Sequence, residues 1–188
     1  MAQRDFYRAY PTAPLAVSFV DLVGYTAITE THGDELAADM AQELADIAID
    51  QLAPGDRLVK TMGDAVLISS ASPVSGIELL QRISECCARA SRPLDIHAGA
   101  HYGPVIERNG DIFGATVNLA ARIAATARSG QVLVTHQMAH AARVAGMAAA
   151  DLGARSFRNV TQHVSVFELE LQAPAPYCVV PTAGDRWA

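Results

Sequence analysis

Residues 56–69, DRLVKTMGDAVLIS, read as two short strands meeting at a turn at Met62-Gly63, where a glycine removes the steric cost of a positive φ. A one-faced helical pattern stands on either side of this hairpin. Before it, Leu36, Met40, Leu44, Ile47 and Ala48 recur at helical spacing in a segment running to Leu52. After it, Pro73 opens a segment that turns Ile77, Leu80, Ile83 and Cys87 inward, Pro being well accommodated in a first helical turn. The outer flanks are of strand type: LAVSFV (15–20), a continuous apolar run, and LDIHAGAHYG (94–103). Gly99 and Gly103 in the second flank point to close approach by another backbone. The order is β-α-β-β-α-β, the split βαβ arrangement of a ferredoxin-like core.

Beyond the core, a helix opens at Gly114 and QVLVT (131–135) reads as a strand. An Ala-rich helix then runs to about Gly146, and a hairpin ends in HVSVFELEL (163–171). Residues 1–14 read as an N-terminal extension and 15–171 as one α/β (α+β) domain without internal repeats. Residues 172–188, with Pro174, Pro176 and Pro181, read as an irregular tail.

A chain of 188 residues, 51% apolar and 18% charged, suits one globular domain with its own core. Its net charge of −6 argues against an electrostatic footprint for nucleic acid. A polyanion would have to be bound locally, through metal ions or a few aimed cations. The start MAQRDFYRAYPTAP lacks the apolar stretch of a signal peptide, and no apolar run is long enough to span a bilayer. Cys86, Cys87 and Cys178 form no metal-ligand spacing and read as core or surface thiols of a reducing compartment. The expectation is a cytoplasmic protein that engages neither nucleic acid nor membrane.

Several residues carry chemistry. Asp21 stands where a buried strand ends, and Gly24 lets the backbone turn into a helix whose first amides, at Tyr25 and Thr26, form a phosphate cradle. Asp64 follows the hairpin glycine, so a ferredoxin-like core would bring two carboxylates to one sheet edge, an arrangement suited to two divalent cations. Each has a purely structural alternative: Asp21 as a helix cap, Asp64 as a turn residue. Lys60 lies in an otherwise apolar strand and reads equally as a snorkelling edge lysine. Asp111 precedes the helix opened at Gly114 and fits a cap. Asn118 and Arg122, four apart in GDIFGATVNLAAR, share one face of that helix. They read either as a buried hydrogen-bond pair or as functional groups, and an arginine near a core calls for a partner. His97 and His101 share a strand face, and His136 and His140 stand at i, i+4. None comes with the further ligands of a zinc site, so all four read as structural or solvent-facing.

Together, FVDLVGYT, KTMGDAVL, GAHYGPV, GDIFGATVNLAARI and GQVLVT resemble the class III nucleotidyl cyclases, in family order and with matching spacing from about residue 15 to 171. The resemblance implies that Asp21 and Asp64 hold two Mg²⁺ or Mn²⁺ ions on a nucleoside triphosphate. It places Lys60 and Asp111 at the base-reading positions, where a lysine donating to N1 and a carboxylate accepting from the N6 amine match adenine. Guanine, with O6 as acceptor and N1–H as donor, leaves the same pair mismatched. Asn118 would orient the ribose, Arg122 would stabilise charge on the α-phosphate, and Arg158 would grip phosphate. Where the family often shows leucine-lysine-glycine, this chain reads FRNV: Arg158 keeps the cation and Asn159 replaces the glycine.

The resemblance further implies a head-to-tail homodimer, one chain giving Asp21 and Asp64 and its partner giving Lys60, Asp111, Asn118, Arg122 and Arg158. The implied activity is conversion of ATP to 3′,5′-cyclic AMP and pyrophosphate. The alternatives are a guanylate or dual-specificity cyclase, or a nucleotide-binding signalling module without turnover. No sensor domain or heptad-rich helix precedes Leu15. The expectation is therefore either a stand-alone enzyme, regulated by association, ions or a separate partner, or an excised catalytic domain.

Overall fold

The computed structural model describes residues 12–171; the tail from Gln172 and most of the 1–14 extension lie outside the described residues. The elements follow as β1 (Thr12–Leu22), α1 (Tyr25–His32), α2 (Asp34–Asp50), β2 (Asp56–Met62), β3 (Ala65–Ser70), α3 (Pro73–Arg89) and β4 (Ile96–Arg108). After them come β5 (Asp111–Phe113), α4 (Ala115–Ala124), β6 (Val132–Thr135), α5 (His136–Val144), β7 (Ala148–Arg155) and β8 (Val164–Glu170).

The sheet order is β2-β3-β1-β4-β6-β8-β7, with β5 pairing only β4. Its first four strands are antiparallel and form the ferredoxin-like core; β6 then joins parallel to β4. The pleat of β1 sorts the two faces. Ala16, Val20 and Leu22 join the large core under α2, α3 and α5. Val17, with Leu15 and Phe19 beside it, belongs to a smaller cluster reached by Ala120 of α4. Helix α3 is fixed at its start by a capping box between Ser72 and Ser75 with Pro73 in its first turn, which satisfies otherwise orphaned helix amides.

Several boundaries differ from the sequence reading. β1 runs on to Leu22 because β3 and β4 pair it from both sides, so Asp21 lies within the strand, between Ala65 and His97. The residues after Gly24 form two helices, divided at Gly33 (φ 91°). The hairpin turns at Gly63-Asp64, since Met62 still pairs with Ala65. β4 continues to Arg108 and folds back as β5, an arm absent from the sequence reading. Cys87 is a buried free thiol whose burial pushes its pKa up to about 12, as expected of an inert core cysteine. Cys86 is disulfide-bonded, so the thiol reading does not extend to it.

The close approach expected at β4 is present. A Cβ on Gly99 would lie 2.1 Å from the Ala124 amide nitrogen, and one on Gly103 would lie 2.7 Å from Thr116 Oγ1. Helix α4 thus rests on the backbone of β4, with Thr116 Oγ1 donating to the Pro104 carbonyl (2.7 Å). Among the described residues no helix is long and apolar enough to cross a membrane.

Candidate active site

Asp21 and Asp64 meet at one end of the sheet. Asp21 lies opposite Ala65, the residue after Asp64, and the Leu22 amide donates to the Asp64 carbonyl (3.2 Å). Among the described residues, buried Asp21 Oδ1 has no hydrogen-bond partner, and Oδ2 faces His97 Nε2 at 3.7 Å. Burial, then the neighbouring Asp64 carboxyl, raises the Asp21 pKa, and His97 partly opposes the rise. An orphaned carboxylate oxygen beside a second carboxylate is a poor arrangement without a cation and a suitable one with it. Among the described residues no cluster of three or more His, Cys, Asp or Glu is placed to hold a metal. Two carboxylates fit ions that take the rest of their oxygen shell from substrate phosphate and water, the usual habit of Mg²⁺. Beyond Asp21, Gly24 takes a left-handed conformation (φ 73°) and starts α1 with no side-chain cap. The first amides, at Tyr25 and Thr26, therefore have no intrahelical acceptor.

Lys60 and Asp111 are brought together from elements 51 residues apart, Lys60 Nζ donating to Asp111 Oδ2 at 2.7 Å. Two local features make this possible. The β2–β3 register slips between Leu58 and Lys60, so that Leu58 faces Ile68 while Lys60 faces Leu67. Leu67 shares a cluster with Val17, on the α4 side, whereas Ile68 belongs to the opposite core. In an unbroken strand Leu58 and Lys60 would share a face; the bulge transfers Lys60 to the other. The second feature is the β4–β5 arm, closed by Asn109 and Gly110 (φ 52° and 79°) with Arg108 paired to Asp111. Both turn residues sit in the positive-φ region that a two-residue hairpin needs. Asp111 is therefore the first residue of β5, not a helix cap, and Gly114 precedes α4 without a side-chain cap. Asp111 Oδ1 accepts from its neighbour Ile112 N (2.8 Å). The bond from Lys60, with this second one, holds its pKa below the ordinary carboxylate value.

Asn118 is exposed and Arg122 half-buried on the outer face of α4, whose inner face buries Thr116, Ala120, Ile123 and Ala124. The alternative of a buried Asn118–Arg122 pair does not hold, because the seam faces β4 and the two point away from it. Neither side chain has a hydrogen-bond or ion-pair partner among the described residues. Arg158 is exposed in the loop before β8. Phe157, packed with Ile123 and Leu133, anchors that loop near α4. Asn159 has φ 58°, a left-handed conformation that Asn tolerates better than most residues with a side chain. The replacement of glycine there therefore keeps a glycine-like backbone.

The chain thus assembles an Asp21–Asp64 end, a Lys60–Asp111 pair and an unpartnered α4 face. Among the described residues no hydrogen bond or ion pair joins these groups to one another. His97, read from sequence as structural or solvent-facing, stands beside Asp21; its buried Nδ1 has no hydrogen-bond partner among the described residues. The signal available was its place near the start of a strand destined to pair with β1. His101 keeps its structural role, hydrogen-bonded to Thr135 Oγ1 (2.8 Å), with its pKa lowered by burial.

The profile described as "Adenylate and Guanylate cyclase catalytic domain" matches residues 7–168. The chain is 36% identical over 121 residues to an adenylate cyclase of Streptomyces coelicolor, covering 64% of this chain and 32% of that protein. It is 34% identical over 127 residues to a pH-sensitive adenylate cyclase of Mycobacterium tuberculosis, covering 68% and 32%. It therefore spans about a third of the length of these curated relatives. In fold it is similar to an adenylate cyclase structure from Trypanosoma brucei, solved in its monomeric state, with TM-score 0.74, 24% identity and coverage of 89% and 94%.

Proposed function

Because this chain belongs to the adenylate and guanylate cyclase catalytic-domain family, we propose that it is an adenylate cyclase, converting ATP to 3′,5′-cyclic AMP and pyrophosphate at sites shared across a homodimer. The observation that carries the choice of ATP is the Lys60–Asp111 pair at 2.7 Å. It sets an obligate donor and an ionised acceptor side by side, complementary to adenine N1 and the N6 amine. Guanine would set its O6 acceptor against the carboxylate and its N1–H donor against the ammonium, leaving both unpaired.

Asp21 and Asp64 would hold two divalent ions, Mg²⁺ or Mn²⁺, which when bound acidify the ribose 3′-hydroxyl and neutralise the pyrophosphate that leaves. The 3′-hydroxyl releases its proton to water as its oxygen attacks the α-phosphorus in line; a P–O bond forms to the ribose, and the bond to pyrophosphate breaks. Asn118 holds the ribose so that its 3′-oxygen lies on that line. Arg122 donates to the α-phosphate oxygens as charge accumulates there, a contribution of about 10²–10³ in rate for a well-placed donor. Gly24, Tyr25 and Thr26 supply amides and Arg158 a guanidinium to the outer phosphates.

The dimer is supported by what the single chain leaves open. Among the described residues Arg122 has no hydrogen-bond or ion-pair partner. Phe19, Val59 and Val117 are only partly covered, and Met62 and Phe113 are 37% and 47% exposed. Apolar surface beside unpaired polar groups suits an interface that completes a site. The test is product formation from ATP and from GTP with Mn²⁺ at several protein concentrations. ATP preference, with specific activity rising with concentration, supports the proposal. GTP preference overturns the base-reading argument, and ATP binding without product favours the silent module.

A further inference from the structure

Arg57 lies three residues before Lys60 on β2, and the sequence reading assigned it no role. One guanidinium nitrogen, Nη1, reaches the Gly110 carbonyl at 3.5 Å, and the other, Nη2, pairs with the Glu107 carboxylate at 3.3 Å. A single planar group therefore grips both the turn of the β4–β5 arm and the strand leading into it. The next residue after Gly110 is Asp111, held by Lys60 at 2.7 Å. The arm needs such a tie, because β5 is three residues long and pairs only with β4. Ile112, 2% exposed, fixes its depth against the sheet, while along β2 the arm is held by polar contacts alone, from Lys60 to Asp111 and from Arg57 to the turn.

We propose that Arg57 is a positioning residue for purine selectivity, tying the Asn109-Gly110 turn to β2 so that Asp111 and Lys60 meet the base at a fixed spacing. The inference rests on the adenylate cyclase reading above. A guanidinium suits the task because its donors are fixed in a plane and reach two acceptors at once, whereas an ammonium concentrates its charge at one point. Without the tie, Asp111 can move toward guanine N1–H, and the penalty against GTP shrinks.

Steady-state kinetics on ATP and GTP with the full chain, Arg57→Ala, Arg57→Lys and Arg57→Ala/Asp111→Asn test this. Arg57→Ala should raise KM for ATP about three- to fivefold, the scale of an exposed ion pair plus one further bond, with kcat changed less than about twofold. The ATP-to-GTP ratio of kcat/KM should fall by a similar factor, and Arg57→Lys should restore little of it. In the Asp111→Asn background the Arg57 substitution should add nothing, since no carboxylate remains to be positioned. An unchanged ATP-to-GTP ratio in Arg57→Ala overturns the inference. If the unmodified chain turns over neither nucleotide or prefers GTP, the underlying reading fails instead. Hydrogen exchange at the Ile112 amide, which donates to Asp111 Oδ1, then decides the structural claim separately: faster exchange in Arg57→Ala supports the tie, and unchanged exchange overturns it.

Discussion

At Asp21 the pleat of β1 and the turn before β3 place two carboxylates together, one with a buried, unsatisfied oxygen. Burial and the Asp64 charge raise the Asp21 pKa in the metal-free chain. A carboxylate with a raised folded-state pKa contributes stability that is present below its unfolded value and lost as pH rises through the folded value. At neutral pH the ionised side chain is thus a net cost to folding. We expect Asp21→Asn, measured with a chelator present, to raise Tm at pH 7, with the difference shrinking toward zero as pH falls below the ordinary carboxylate range. The same substitution should abolish cyclase activity. An unchanged or lowered Tm at pH 7 would contradict the electrostatic account of this end of the sheet.

Among the elements, α4 shows how the sheet dictates where Asn118 and Arg122 stand. Gly99 is the point of nearest approach, its missing Cβ being 2.1 Å from a backbone nitrogen of the helix. Backbone cannot yield as a flexible side chain can, so Gly99→Ala should destabilise the fold by about 3 kcal/mol or more. Urea unfolding would measure the loss. Where the variant still folds, activity should fall further than stability alone requires, because Asn118 and Arg122 ride on the displaced helix. The β4–β5 arm teaches a different lesson about legibility. Reading Asp111 as a cap overlooks Asn109-Gly110, the dipeptide most typical of a two-residue hairpin, which makes Asp111 the start of a strand. The bulge that turns Lys60 is harder to foresee: Arg57, Leu58, Val59 and Lys60 carry no glycine to mark it, and it is defined by pairing with β3.

For the whole molecule, one chain displays its polar groups on a face that it does not close. One cavity, of about 490 Å³ and lined by Tyr102, His136 and His140, lies against α3 and α5, away from the proposed site residues. The proposed site, completed by a second copy across the open face of α4, predicts complementation. Asp21→Ala and Arg122→Ala homodimers should each be inactive. After subunit exchange, half of the dimers are mixed and each holds one intact site out of two, so activity should recover to roughly a quarter of the unmodified level in a head-to-tail C2 dimer. A mixture as inactive as its parents would rule out shared sites.

Sequence alone determined the β-α-β-β-α-β order of the ferredoxin-like core and the family, and it named the candidate site residues, because periodicity, turn glycines and motif spacing are local along the chain. A close approach to β4 was legible in Gly99 and Gly103, since only glycine leaves that space; that α4 makes it was decided by the packing. Tertiary structure decided which of these residues meet. The Lys60–Asp111 bond, the His97 neighbour of Asp21 and the Arg57 tie across the arm depend on strand pairing, a bulge and a folded-back hairpin. Those contacts join residues tens of positions apart, and their geometry is set by the packed sheet rather than by any neighbouring stretch of chain.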